Sequence, residues 1–301
     1  MKNANLSILK RILIGCALCA AAWQAQAQAQ RTFPSPEDAA KALVAAAAAD
    51  DEAAMAQIFG PQYRTVVATD DKAQGRENRA KFASAAKEYQ LLRKEKDGRV
   101  TLVVGTQAWP LPVPLVQSGG AWRFDTAAGV EELQARRIGE NELGAIEVLQ
   151  FYVGAQRQYA TVPRDGSNVR AFAQRLTSTA GKKDGLYWES AAGEEQSPIG
   201  PLVGDGDHVA GEPYHGYHYR ILKAQGPAAP GGRYSYVING RMVAGYALMA
   251  WPARYGNTGV KTFIVNHYGQ VYEKDLGPNT AQLAAGIKEY NPDKTWSPVG
   301  D

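Results

Sequence analysis

Three of the chain's four histidines, His208, His215 and His218, fall within eleven residues, in the stretch DGDHVAGEPYHGYHYRILKAQGP from Asp205 to Pro227. Histidine and carboxylate at this density are the raw material of a zinc site or a general-base site. Zinc needs several ligands converging at about 2.0–2.2 Å. Pro213, Gly216 and the density of tyrosine argue for a strand from Tyr214 to Lys223. On a strand successive side chains point to opposite faces, so His215 and His218, an odd number apart, diverge. His215 then shares a face with Tyr217, Tyr219 and Ile221, and His218 with Tyr214 and Arg220. A metal set would need His208 to fold back from its glycine-rich loop with Asp205 or Asp207. The expectation is therefore no metal site, with His215 hydrogen-bonded within a ring-lined face and His218 at the surface or an edge.

Other residues could do chemistry of a milder kind. In KDGLYW, Tyr187 and Trp188 are adjacent rings that could stack on a sugar. Adjacent strand positions face opposite ways, so core packing is the plainer reading. Trp109, Trp122 and Phe124 are candidates for an apolar pocket lining. PRDGSN, residues 163–168, has a faint look of a calcium loop but lacks the alternating acids and the closing bidentate Glu, so it reads as a turn. The DGDH and GNTG loops precede no phosphate-binding helix pattern. In the first domain no pair of carboxylates and no His–Asp pair is visible, though distant residues could converge, and no catalytic residue is named.

The composition excludes more. Both cysteines, Cys16 and Cys19, lie near the N-terminus. Lys2, Lys10 and Arg11, an apolar run over 12–22 and the small-x-small repeat WQAQAQAQ read as a secretory signal, residues 1–29, cleaved after Ala27 or Ala29. LIGC, ending at Cys16, resembles a lipoprotein box, but the A-x-A sites fit the expected order better. Loss of the signal removes every thiol, hence any disulfide or cysteine nucleophile. It also removes three of the 33 basic residues, leaving 30 of each sign. A neutral chain makes no electrostatic case for nucleic acid or an anionic membrane surface, and no later stretch reaches the ~18 apolar residues of a transmembrane segment. The expected location is the periplasm or outside the cell, with no cofactor.

Two domains must position these residues. In the first, residues 33–130, SPEDAAKALVAAAAA opens a helix with Ser35 as N-cap, Pro36 at the first position and Asp38 as capping acid. DDEAAMAQIFG is a second helix closed by Gly60, and ENRAKFASAAKEYQLL a third. RVTLVVG alternates, with Val100, Leu102 and Val104 on one face. WPLPVPLV, with prolines at 110, 112 and 114, must be an edge strand or close to polyproline, its proline side unpaired. QSGGAWRFDT turns into a strand with Trp122 and Phe124 inward. TAAGVEELQARRIGE reads as the junction between the domains.

In the second domain, residues 131–300, RRIGENELGAIEVLQFYVGAQRQYA is a helix with a stripe of Ile146, Val148, Leu149, Tyr152, Val153, Ala155 and Tyr159. RYSYVINGRMVAGYALMAWP reads as a hairpin turning at Asn239-Gly240. VKTFIVNHYGQVYEKDLGP turns at His267-Tyr268-Gly269, and NTAQLAAGIKEY closes the chain with a short helix. The fold class is α+β.

Helices followed by a curved antiparallel sheet ending in GGAWRFDTAAG resemble the NTF2-like fold, which implies a pocket. NELGAIEVLQFYVGAQRQY and YALMAWPARYGNTGVKTFIVNHYGQVYE resemble the helix and last strands of a type IV pilin or pseudopilin head, without the prepilin cleavage motif that polymerisation needs. GKKDGLYW, PYHGYHYRILKAQGP, GRYSYVINGRMV and FIVNHYGQVYEKDLGP resemble an exported Gram-negative family called domain of unknown function 2950, which implies export and carries no activity across. The expected function is a non-catalytic envelope protein, a binding or assembly module for another envelope protein or for a small-molecule or glycan ligand. Its ligand-binding residues would come from Trp109, Trp122, Phe124, Tyr187, Trp188, His215, Tyr217 and Tyr219. The competing expectation is a periplasmic hydrolase or metal-dependent enzyme using His208, His215 and His218.

Overall fold

The computed structural model describes residues 30–66, 72–191, 193–200 and 213–300. The expected signal, Cys16 and the GDGDH loop with Asp205, Asp207 and His208 lie outside the described residues. The fold is α+β, and its contacts divide the chain into two compact units, one ending at Leu133 and the other beginning at Gln134.

The first unit begins with α1, Pro36–Ala48, whose N-cap Ser35 accepts a hydrogen bond from the Asp38 amide at 3.0 Å. Helices α2 (Glu52–Phe59), α3 (Tyr63–Val66) and α4 (Lys72–Glu88) follow. Gly60 closes α2 with φ 70°, a conformation glycine adopts without strain. The strands are β1 (Gln90–Lys94), β2 (Val100–Val104), β3 (Trp109–Pro110), β4 (Leu115–Ser118) and β5 (Ala121–Phe124). The sheet runs β1-β2-β4-β5, all antiparallel, with β3 also on β2. Its core joins Leu43, Ile58, Phe59, Leu102, Leu115 and Phe124.

Two expectations for this unit are corrected. The third helix stops at Glu88, and Gln90–Lys94 is a strand paired along its whole length with β2. The partner strand overrode the helical propensity of Leu91 and Leu92. The proline run is not one edge strand. Pro110 sits opposite Val103, the Leu111 amide donates to the Leu102 carbonyl, and regular pairing resumes only at Leu115. The division between the units falls between Leu133 and Gln134, inside the expected junction, and residues 126–140 are themselves helical. They open α5, a single 34-residue helix from Thr126 to Tyr159, because Ala, Glu, Leu, Gln and Arg here are strong helix formers uninterrupted by proline.

In the second unit α5 buries the expected stripe, Val148, Leu149, Tyr152, Val153, Ala155 and Tyr159. It packs on a sheet of order β14-β13-β12-β11-β6, made of β6 (Tyr217–Leu222), β11 (Ala247–Pro252), β12 (Lys261–Asn266), β13 (Val271–Asp275) and β14 (Ser297–Pro298). Short pairs fill the interval: β7 (Ala224–Gln225) with β8 (Tyr234–Ser235), and β9 (Val237–Ile238) with β10 (Arg241–Met242). Asn239 and Gly240 have φ 48° and 77° between β9 and β10, the two positive values a type I′ turn requires. The hairpin they close is only two residues a side, and β11 is a separate strand. Helix α6, Thr280–Gly286, lies near β11. Polar side chains of α5 tie down the loop before β12. Gln134 donates to the Gly256 carbonyl, Asn141 donates to Thr258, and a Glu142 carboxylate oxygen accepts from the amides of Val260 and Lys261.

Candidate functional site

His215 is not on a strand. It and Gly216 have φ 47° and 71° and form a two-residue turn between Tyr214 and Tyr217, whose backbones exchange both hydrogen bonds. Its imidazole lies 4.1 Å from the Tyr214 ring and against Gly144 of α5, where a Cβ would come within 3.2 Å of His215 Cγ. The shared face expected with Tyr217, Tyr219 and Ile221 is therefore corrected. The signal was local: His-Gly between two tyrosines is a turn sequence, and the aromatic density masked it.

His218 is on β6, opposite Trp251, with ring centroids 5.5 Å apart. Arg220, on the same face, sits 5.2 Å from that indole and donates to the carbonyls of Ala284 and Ile287. It holds the C-terminal end of α6, where a cation is favoured. His215 and His218 are thus each engaged with rings in different surroundings. Among the described residues no group of three or more His, Cys, Asp or Glu side chains could hold a metal.

The other expected residues lie at several depths. Tyr217 is fully buried, and its hydroxyl donates to the Lys261 carbonyl. Tyr219 is partly buried, its hydroxyl 3.4 Å from the Tyr214 carbonyl. Burial pushes both phenols up. Trp188 is packed: Arg164 and Lys183 lie over its ring at 4.9 and 5.3 Å, and its indole N–H donates to the Glu195 carbonyl. The Glu195 carboxylate joins both cations, at 2.6 and 2.9 Å, which holds it down at about 2. A sugar would have to displace that clasp to stack on Trp188. Tyr187 is half-buried, its backbone bridged to Thr177. Phe124 is a core residue 5.2 Å from Phe59; Trp122, half-buried, shares its face, while Trp109 is exposed.

The fourth histidine has the most distinctive surroundings. His267 follows β12, and three rings surround it, those of Tyr236 at 5.8 Å, Tyr246 at 5.9 Å and Tyr268 at 4.4 Å. Gly245, with φ 151°, lets the chain pass close by; a Cβ there would lie 2.8 Å from both His267 Nδ1 and the Tyr236 ring. The backbone amide of His267 donates to Tyr246, and its carbonyl accepts from Arg157 at 3.2 Å. Its Nδ1 is buried without a hydrogen-bond partner. Burial lowers the pKa of His267, and Arg157 adds to the shift. The imidazole is therefore neutral at pH 7. Arg157 is the charged side chain that acts on it, and among the described residues no carboxylate orients it as the base of a catalytic triad would be oriented. This is the chemistry of a ring-lined polar contact. Sequence reading saw residues 267–269 only as a turn, because the groups that define the site come from positions as far apart as Arg157 and His267.

These features define an α+β protein in which the described histidines are built into aromatic packing. The chain belongs to the family described as "Protein of unknown function (DUF2950)", whose model matches residues 30–299. No curated protein and no solved structure matches the chain. Among the described residues no helix is long and apolar enough to cross a membrane.

Proposed function

We propose that this is a non-catalytic, exported envelope protein that acts as a binding module, with its contact surface at the His267 ring cluster. One observation carries the reading. Tyr268 is 64% exposed while its ring lies on His267, itself held by Tyr236, Tyr246 and Arg157. A half-buried imidazole packed among three tyrosine rings, with its backbone held by Arg157 and Tyr246, backs an exposed ring, which is how an aromatic platform is made. The site is ring-lined with a cation, Arg157, at its margin, and exposed rings of this kind suit stacking on a glycan. Export and a periplasmic location rest on the N-terminal pattern and are part of the same proposal, as are the NTF2-like and pilin-head resemblances. The test is a titration of the protein with neutral oligosaccharides, followed by NMR of the tyrosine ring signals. Saturable shifts that vanish in Tyr268→Ala, with no sugar cleaved, support the reading. Hydrolysed product that disappears in His215→Ala or His218→Ala would replace it with the enzyme reading.

A further inference from the structure

The two outer strands of the first unit's sheet are finished differently. Along β5 the backbone of Phe33 exchanges two hydrogen bonds with Trp122, at 2.7 and 2.8 Å. On the other side, β1 pairs with β2 alone: every residue from Gln90 to Lys94 has its partner there. The side of β1 away from β2 takes no backbone partner among the described residues. Such an edge is a template for another strand, and proteins usually protect it with proline, a bulge or inward charge. β1 has neither proline nor bulge. Its charges, Arg93 and Lys94, fall at one end, and it exposes the large apolar Leu91 at 47%, with Tyr89, just before the strand, at 44%. Leu91 stands opposite Val103 and Arg93 opposite Thr101, so Leu91 and Arg93 share a face.

We propose that this edge is the contact between two copies of the chain, paired antiparallel about Leu91. The charge pattern selects this occupant. Glu88 lies before the strand, and Arg93 and Lys94 end it. Antiparallel self-pairing about Leu91 sets Leu91 beside Leu91 of the partner subunit and Tyr89 beside Arg93 of the partner subunit. It also brings Glu88 to the end of the strand where Lys94 of the partner subunit lies. A parallel pairing would set the two basic ends together, where like charges side by side are destabilising. The contact is isologous, as a two-fold axis demands. It extends one five-stranded sheet into another and covers Leu91. A strand of five residues makes a small interface, so the dimer is weak and concentration-dependent.

Sedimentation of the full-length chain from about 10 to about 300 µM should show dimer growing with concentration. Leu91→Lys should abolish it without lowering the melting temperature, since the side chain is at the surface. Disulfide capture tests the register. In a Cys16→Ser, Cys19→Ser background, Leu91→Cys should cross-link two copies, because facing residues of an antiparallel pair lie about 4.5–5.5 Å apart between Cα atoms, within disulfide reach. Gln90→Cys and Arg93→Cys, whose partners in this register are different residues, should lag. A monomer throughout the range, an assembly that survives Leu91→Lys, or equal cross-linking at 90, 91 and 93 overturns the proposal.

Discussion

The two units solve the problem of a thiol-free core in different ways. The first packs alanines of α1 with a few large side chains, Leu43, Ile58, Phe59 and Phe124, and keeps its main buried charge, Arg79, at the margin, paired with Asp50 and Glu52. The second fills its centre with tyrosines, each bringing a hydroxyl that must be satisfied. Tyr152 donates to the Ala247 carbonyl, Tyr217 to Lys261, Tyr246 to Val153 and Tyr236 to Gln225 Oε1. Each such bond contributes only about 1 kcal/mol net, but an unmade one costs about 1–3 kcal/mol. The second core is therefore directional: its rings have one acceptable placement, where the first can yield to small changes of volume.

The sharpest way to break this contrast is Gly259→Ala. A Cβ there would lie 2.1 Å from the Tyr217 hydroxyl, and Tyr217 cannot retreat without abandoning Lys261. The expected loss is about 3 kcal/mol, read by thermal unfolding. A change under about 1 kcal/mol would show that the tyrosine core repacks as easily as an aliphatic one. Gly240→Val comes next, at about 2 kcal/mol, because valine is strained at φ 77°. An unaltered melting temperature would mean that the β9–β10 hairpin contributes nothing to stability. In the first unit Ser35→Ala should cost about 1 kcal/mol through loss of the α1 cap, measurable by denaturant titration; Ser35→Asp should restore it.

The smallest effect is a pH dependence confined to the second unit. His267 has a folded pKa below its ordinary value of 6.5, so at mildly acid pH the unfolded chain binds the proton that the folded chain resists. Stability is full above about 6.5 and declines as pH falls from there through the folded value. Below the folded value the whole penalty is present. His267→Gln should flatten that portion of the stability–pH curve while leaving the plateau at pH 8 within about 1 kcal/mol of the parent. An identical slope in the variant would assign the pH dependence to other groups.

Local chemistry was readable without a structure. Ser35, Pro36 and Asp38 start α1, Asn239-Gly240 makes its turn, and the stripe from Val148 to Tyr159 faces inward, because each depends on residues within a turn or two of one another. The α+β class followed from the change of period between segments. Other features needed the tertiary structure. Residues 90–94 became a strand because β2 lies alongside. Residues 126–140, where the two units divide, became helix from Thr126 onward, which their composition already favoured. His215 lies in a turn whose ring packs on Gly144, a neighbour 71 positions away in the chain. His267, unremarkable among its sequence neighbours, draws its character from Arg157, Tyr236 and Tyr246. Short-range hydrogen bonds and side-chain period are written in adjacent residues. Burial, ring contacts and a shifted pKa arise only when distant segments exclude water from one another.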